Sequence, residues 1–307
     1  MSRAFFYFHC CMKNETLQLS PVIAGCMNWG QWGASFNTSQ YEELIKNCLA
    51  AGITTFDHAD IYGGYTTEEE FGSVLKNERS LREQMQIITK CGIKMMAAAR
   101  PEHRVKSYDT SASHIIHSAE QSLKNLATDY IDILLIHRPD PLMNPDEIAE
   151  AFTTLKQQGK VLHFGVSNFE VSHTAMLHSC FPVEFNQLEI SVSKLDSFHN
   201  GQLDQCIENC IRPMAWSPLG GGKLLNNTSD PKTSRISAAA EKIAAAHHCT
   251  TDQVLLSFLF IHPSGIIPVM GTSKIERLIS ASEASSVSIS REEWFMLWEA
   301  SMGKEVP

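Results

Sequence analysis

Short apolar runs alternate with longer segments of helical periodicity along nearly the whole chain. The runs at residues 22–26, 53–56, 86–89, 131–136, 163–166, 184–188, 213–216 and 266–269 carry few charges, and those near the start are rich in Ile, as expected of strands covered on both faces. Between them apolar residues recur at spacings of three and four. Tyr41, Leu44, Ile45, Cys48 and Leu49 share one helical face, and Gly52 follows as a stop. A second helix is predicted by Asn144 as N-cap, Pro145 at the first helical position and Asp146 and Glu147 in the first turn. Its core face is Ile148, Ala151, Phe152 and Leu155, and Gly159 ends it. Further helices are predicted near 68–75, 113–126, 203–210, 235–247 and 274–282.

This β-α order implies a parallel sheet with right-handed crossovers, and eight repeats close most simply into a (β/α)8 TIM barrel. Segment 252–261 and a helix opened by the capping box Ser290-Arg291-Glu292-Glu293 are additional helices beyond the eightfold count. Residues 91–112 and 189–201 are long loops at the carboxyl face, the usual place for a substrate pocket. At 307 residues the chain suits one such barrel, expected over residues 15–307. Residues 1–14 are expected to be an extension outside the core. They contain the aromatic run Ala4-Phe5-Phe6-Tyr7-Phe8, too short for a signal sequence, and Met12 would be a natural start.

Composition narrows the class. No apolar stretch is long enough for a membrane span, and a formal charge of -9 gives no footprint for nucleic acid. The nine cysteines, with no C-x-x-C pair, read as reduced thiols of a cytoplasmic protein, Cys206 and Cys210 sharing one helix face.

Chemistry enters at the strand ends. Asp57, Tyr62, Lys90 and His137 stand at or just past the ends of the second, third and fourth predicted strands, where barrel enzymes assemble their sites. Taken singly, each has an ordinary explanation: a loop cap, a core edge, a solvated strand end, a hydrogen-bonded core histidine. Together they form a unit. A buried Lys90 needs the carboxylate of Asp57, and a cation beside Tyr62 is expected to lower the phenol from its usual value of about 10. His137 would then orient a substrate oxygen.

The motifs Asp57-His58-Ala59-Asp60-Ile61-Tyr62-Gly63, Thr89-Lys90, Leu135-Ile136-His137-Arg138-Pro139-Asp140 and Gly165-Val166-Ser167-Asn168 resemble those of aldo-keto reductases, in particular the bacterial YdhF-type oxidoreductases. The resemblance runs from about Leu19 to the C-terminus. It implies a barrel that binds a nicotinamide dinucleotide without a Rossmann fold, and no G-x-G-x-x-G is present. It makes Asp57, Tyr62, Lys90 and His137 a catalytic tetrad with Tyr62 as general acid. It assigns Ser167, Asn168 and Gln187 to the nicotinamide carboxamide and Trp216 to its ring, with Gly25 and Met27 also on the cofactor. It also assigns Ser217, Leu219 and Gly222 to the cofactor; Gly220, Gly221 and Gly222 permit close backbone approach to the pyrophosphate, although a glycine-rich loop is also simply flexible. Gly271, Thr272, Ser273, Lys274 and Arg277 would hold the adenosine phosphate. Lys274 and Arg277 also read as plain surface charges. Residues Leu278-Ile279-Ser280-Ala281 lack the Glu and Asn that many members place near adenine.

Trp29, with His137, is assigned to the substrate, and Met27 and Trp32 would add to an apolar mouth. The expectation is therefore an NADP(H)-dependent reductase of aldehydes or ketones, with NADPH preferred to NADH. Its partners are a small-molecule substrate and no nucleic acid, membrane or obligate protein. Two other readings remain at this point. One is a cofactor-sensing regulatory subunit, and the other is an aldolase with Lys90 as a Schiff base.

Overall fold

The computed structural model describes residues 17–226 and 229–307, so the extension expected over residues 1–14 lies outside the described residues. Among them, eight parallel strands close a barrel: β1 (Ile23–Gly25), β2 (Thr55–Asp57), β3 (Gln86–Cys91), β4 (Ile131–Ile136), β5 (Val161–Ser167), β6 (Phe185–Glu189), β7 (Arg212–Trp216) and β8 (Ile267–Met270). Their order round the barrel is β1-β8-β7-β6-β5-β4-β3-β2. The fold is the one that the alternation predicts. β4 is buried along its whole length, which explains why its sequence, Asp132 apart, reads as a continuous apolar run rather than an alternating one. No helix among the described residues is long and apolar enough to cross a membrane.

The described chain packs as two compact units, one of residues 23–187 with 271–275, the other of residues 17–22, 188–270 and 276–307. In the first, α1 (Thr38–Ala50) opens with a reciprocal cap between Asn37 and Gln40 and buries Tyr41, Leu44, Ile45 and Cys48. Then follow α2 (Thr67–Asn77), α3 (Ala112–Asn125), α4 (Pro145–Gln157) and α5 (Val171–Cys180). The Asn144 side chain accepts from the Asp146 N–H at 3.1 Å, and Ile148, Ala151, Phe152 and Leu155 are buried, as the pattern of that segment requires. Helix α5 has no counterpart in the sequence reading because it buries only Thr174 and Leu177 and so shows no apolar stripe. Loop 91–112 contains a two-residue ribbon, Ile93–Lys94 paired with Ser107–Tyr108.

In the second unit, α6 (Gln202–Glu208), α7 (Pro231–His247), α8 (Thr251–Phe260) and α10 (Arg291–Met302) enclose a core that includes Leu203, Ile236, Val254, Phe258 and Leu297. Helix α9 (Ile275–Glu283) follows β8. The capping box at Ser290 and Glu293 forms as expected, and Trp294 stacks on Phe258 with ring centroids 4.5 Å apart. The cysteine expectation needs correcting here. Cys206 is a free buried thiol, but α6 ends at Glu208, so Cys210 leaves the helix in a left-handed turn (φ 55°) and is exposed. The two therefore do not share a helix face.

At the amino end of the strands, Arg82 from the turn Arg79–Gln84 donates to Asp132 Oδ2 at 2.6 Å, and the Ile87 N–H donates to the same oxygen at 2.8 Å. Arg82 also donates to Thr128 Oγ1 and to the Met85 and Tyr130 carbonyls, and its guanidinium lies 3.8 Å from the Tyr130 ring centroid. Both partners are buried, so removing one strands the other without water. Arg82→Ala and Asp132→Ala are each expected to lower the unfolding free energy by about 3 to 5 kcal/mol in urea titrations. The double variant should lose less than the sum of the two, and single losses under about 1 kcal/mol would refute this role.

Candidate active site

Each tetrad residue is placed by where a strand stops. Asp57 ends β2, Lys90 is the penultimate residue of β3, His137 directly follows β4, and Tyr62 opens the one-turn helix Tyr62–Gly64 after β2. Pairing of Asp57 with Ile88 sets β2 against β3 and brings the two charged groups together. Lys90, fully buried, donates from Nζ to both Asp57 carboxylate oxygens at 2.7 Å, to the His58 carbonyl at 2.8 Å and to Tyr62 Oη at 3.1 Å. An ammonium has three protons, and these acceptors occupy all of them.

The rings of Tyr62 and His137 stand 6.1 Å apart at 78°. Among the described residues, the Tyr62 hydroxyl has no acceptor for its own proton and His137 Nδ1 has no partner. The His137 N–H of the main chain donates to the Cys91 carbonyl at 2.8 Å, which fixes the turn after β4 against the end of β3.

Burial sets the protonation states. Burial alone would push the Lys90 ammonium down, but Asp57 and then Tyr62 outweigh it and the net direction is up, so Lys90 is a cation. Tyr62 also moves up. Here burial is the largest cause and exceeds the opposing pull of Lys90. That corrects the expected lowering of the phenol: Tyr62 is held neutral. His137 is held well below the usual histidine range, by burial first and then by the positive charges of Lys90, Arg138 and Lys106, so its imidazole is neutral.

Ser167 ends β5, and its hydroxyl donates to the Gln187 carbonyl at 3.0 Å. Asn168 follows in the left-handed region (φ 60°), with its N–H on the same carbonyl at 2.9 Å and its Nδ2 donating to Ser167 Oγ at 2.7 Å. Gln187 Nε2 donates to Asp57 Oδ1 at 2.9 Å, a contact with the tetrad that the motifs did not reveal. Gly25 ends β1 and is buried, while Met27 is 40% exposed.

The structure separates the two tryptophans. Trp29 has no accessible surface and packs among Tyr41, Phe56 and Phe71, which corrects its assignment to the substrate. Trp32 is 43% exposed with its ring centroid 6.2 Å from that of Tyr62, so the exposed tryptophan beside Tyr62 is Trp32. Trp29 instead supports the segment after β8. Its Nε1 donates to the Thr272 carbonyl at 3.0 Å, while Asn28 Nδ2 donates to the Gly271 carbonyl at 3.1 Å. No sequence signal joins residues 243 apart in this way.

Thr272 Oγ1 accepts from the Lys274 N–H at 3.2 Å just before α9. Ser273 is half-buried. Lys274 and Arg277 are exposed and form no ion pair among the described residues. In the other unit, Trp216 ends β7, Ser217 is left-handed (φ 51°), Leu219 packs on the local core, and Gly222 (φ 84°) closes the turn Gly220–Gly222. Left-handed residues such as Asn168 and Ser217 cost about 1 kcal/mol or more and concentrate where strand ends shape a binding site.

Sequence and fold comparisons agree with this geometry. The model of the Aldo/keto reductase family matches residues 21–301. The chain is 46% identical to the oxidoreductase YcsN of Bacillus subtilis, over 95% of this chain and 98% of that protein. It is 44% identical to the oxidoreductase YdhF of Escherichia coli, over 94% and 96%. Identity to a 6-dehydroglucose reductase of Agrobacterium fabrum is 41%, over 95% and 98%. Among solved structures, the thermostable aldo-keto reductase Tm1743 superimposes with a TM-score of 0.79 at 26% identity, covering 94% of this chain and 97% of its own.

His58, next to Asp57, faces outward onto Phe71 at 4.5 Å, fully buried with neither ring nitrogen hydrogen-bonded among the described residues. Burial, and secondarily Lys90, pushes its pKa down to about 3. A histidine with a depressed folded pKa contributes stability above its unfolded value of about 6.5 and loses it as pH falls toward the folded value. Between pH 6 and 4, His58 should therefore remove up to about 1.4 kcal/mol of stability per pH unit. Urea titrations at successive pH values are expected to show a shallower decline for His58→Leu, and identical slopes would refute the assignment.

Proposed function

The chain belongs to the aldo-keto reductase family, and from that premise we propose that it reduces aldehyde or ketone carbonyls to alcohols with NADP(H), Tyr62 acting as general acid. The observation that carries the reading is the Lys90 hydrogen bond to Tyr62 Oη, which occupies one side of the phenol oxygen and leaves its proton without an acceptor. A carbonyl oxygen between the Tyr62 and His137 rings can accept that proton, and the neutral imidazole has one N–H with which to orient it. As the proton leaves, the phenolate forms beside a cation already in place, so no charge has to be moved into the site. Water returns the proton afterwards. The same geometry disfavours a Schiff-base role for Lys90, because its ammonium is fully committed and its pKa is raised.

The residues present fit a nicotinamide dinucleotide phosphate. Lys274 and Arg277, uncommitted at the start of α9, suit a 2′-phosphate, and the helix N-terminus adds its own positive end. At Gly271 an added Cβ would meet only the Asn28 amide, at 3.8 Å, which leaves the backbone approachable. Ser167, Asn168 and Gln187 provide hydroxyl and amide groups for the carboxamide, Gln187 while also holding Asp57. When bound, the reduced nicotinamide supplies hydride to the carbonyl carbon. The relatives named 6-dehydroglucose reductase make a hydroxyl-rich aldehyde the first substrate class to assay.

Tyr62→Phe should lower carbonyl reduction by roughly 100-fold to 10,000-fold while the NADPH dissociation constant stays within about twofold. A variant with near-normal turnover would remove Tyr62 from its role. Arg277→Ala should weaken NADPH by about 10-fold and leave NADH almost untouched, as measured by fluorescence titration. Equal weakening of both cofactors would mean that Arg277 does not read the phosphate.

A further inference from the structure

We propose that Tyr65 is a positioning residue for this reaction: its phenol clamps the segment after β3 onto Tyr62, fixing the acid and one wall of the substrate site. The inference rests on the reading of Tyr62 as the acid. It begins with the backbone. Gly63, Gly64 and Tyr65 follow one another in the left-handed region, at φ 62°, 71° and 76°. Glycine occupies that region without penalty, whereas a bulky side chain there costs about 1 kcal/mol or more and persists only where its surroundings hold it.

What holds Tyr65 is its side chain. The hydroxyl accepts from the Met95 N–H at 2.8 Å and contacts the Met95 carbonyl at 3.4 Å, and His103 Nδ1 meets the same carbonyl at 2.9 Å. The Arg100 guanidinium covers the ring at 4.6 Å from its centroid. Tyr65 and Met95 both pack on the cluster of Ala59, Ile61, Tyr62 and Ile93. The phenol thus joins the turn that carries the acid to the loop that packs against the acid.

Tyr65 touches no reacting atom. Its action is indirect, because proton transfer is sensitive to misplacement of the donor by about 1 Å and Tyr62 shares one apolar cluster with Ile93, on which Met95 packs. Beyond Met95 the turn bonds at Ala97–Arg100 and Arg100–His103 are local, and the tip is open to solvent: Met96 is 58% and Val105 65% exposed, and Arg104 and Lys106 are exposed. The ribbon of Ile93–Lys94 with Ser107–Tyr108 closes the base of the loop and leaves residues 96–106 outside it.

Tyr65→Phe removes the hydroxyl and keeps the ring under Arg100. Its kcat/KM for a carbonyl substrate is expected to fall by about 10-fold to 100-fold, with NADPH affinity and the urea midpoint near wild type. Limited trypsin digestion should cut after Arg104 and Lys106 about tenfold faster, the direct readout of a released segment. Tyr65→Gly, which relieves the backbone and deletes the clamp, should match that kinetic loss without greater loss of stability. Unchanged cleavage in Tyr65→Phe overturns the clamp whatever the wild-type turnover. Faster cleavage with unchanged kcat/KM overturns the positioning role and leaves the assignment of Tyr62 standing.

Discussion

A lysine ammonium with no access to water is the constraint on which the site depends. Taking Lys90 out of solvent costs several kcal/mol, and the structure offsets this with the Asp57 carboxylate, the His58 carbonyl and the Tyr62 hydroxyl. Asp57 is itself held by Gln187 from β6, so one ion pair ties β2, β3 and β6 to the turn that carries Tyr62. Shifting β3 by one residue against β2 would turn Lys90 out of the barrel and leave Asp57 buried alone. The register of the strands and the chemistry of the site are thus fixed by the same contact.

Burial then divides the protonation states. The cation is charged because a carboxylate faces it, whereas the phenol and the imidazole are neutral because each lies in a dry site beside that cation or beyond it. A nearby cation lowers a phenol's pKa only when it outweighs desolvation, and at Tyr62 it does not. In the proposed reaction Lys90 acts on the product of proton transfer more than on the resting phenol, since the phenolate is the state in which its charge counts fully.

A second layer supports the groups assigned to the cofactor. Trp29 and Asn28, just after β1, hold the carbonyls of Thr272 and Gly271, so the segment entering α9 is fixed by residues far away in sequence. Asn168 and Ser217 accept left-handed backbone at strand ends, and Tyr65 does so where glycine would be free of cost. At Asn168 and Ser217 the strain coincides with the end of a strand, and at Tyr65 with the end of the one-turn helix that carries Tyr62.

The eight strands, most of the helices and the tetrad were legible in the sequence, since each rests on local information. Apolar runs mark the buried strands, Asn144 with Pro145 and Ser290 with Glu293 mark helix starts, and polar residues at strand ends mark the carboxyl face. Helix α5 was not legible, because a helix that buries two residues has no stripe to read. Nor was the difference between Trp29 and Trp32, which have the same chemistry three positions apart and opposite surroundings. The chain by itself determined which residues could carry charge, protons and hydrogen bonds near the strand ends. Only the tertiary structure decided that Gln187 supports Asp57 across 130 residues, that Tyr65 meets Met95, and that burial rather than Lys90 sets the state of Tyr62. Periodicity and capping act over a few residues, whereas desolvation and side-chain pairing depend on which distant segments barrel closure brings within a few ångströms.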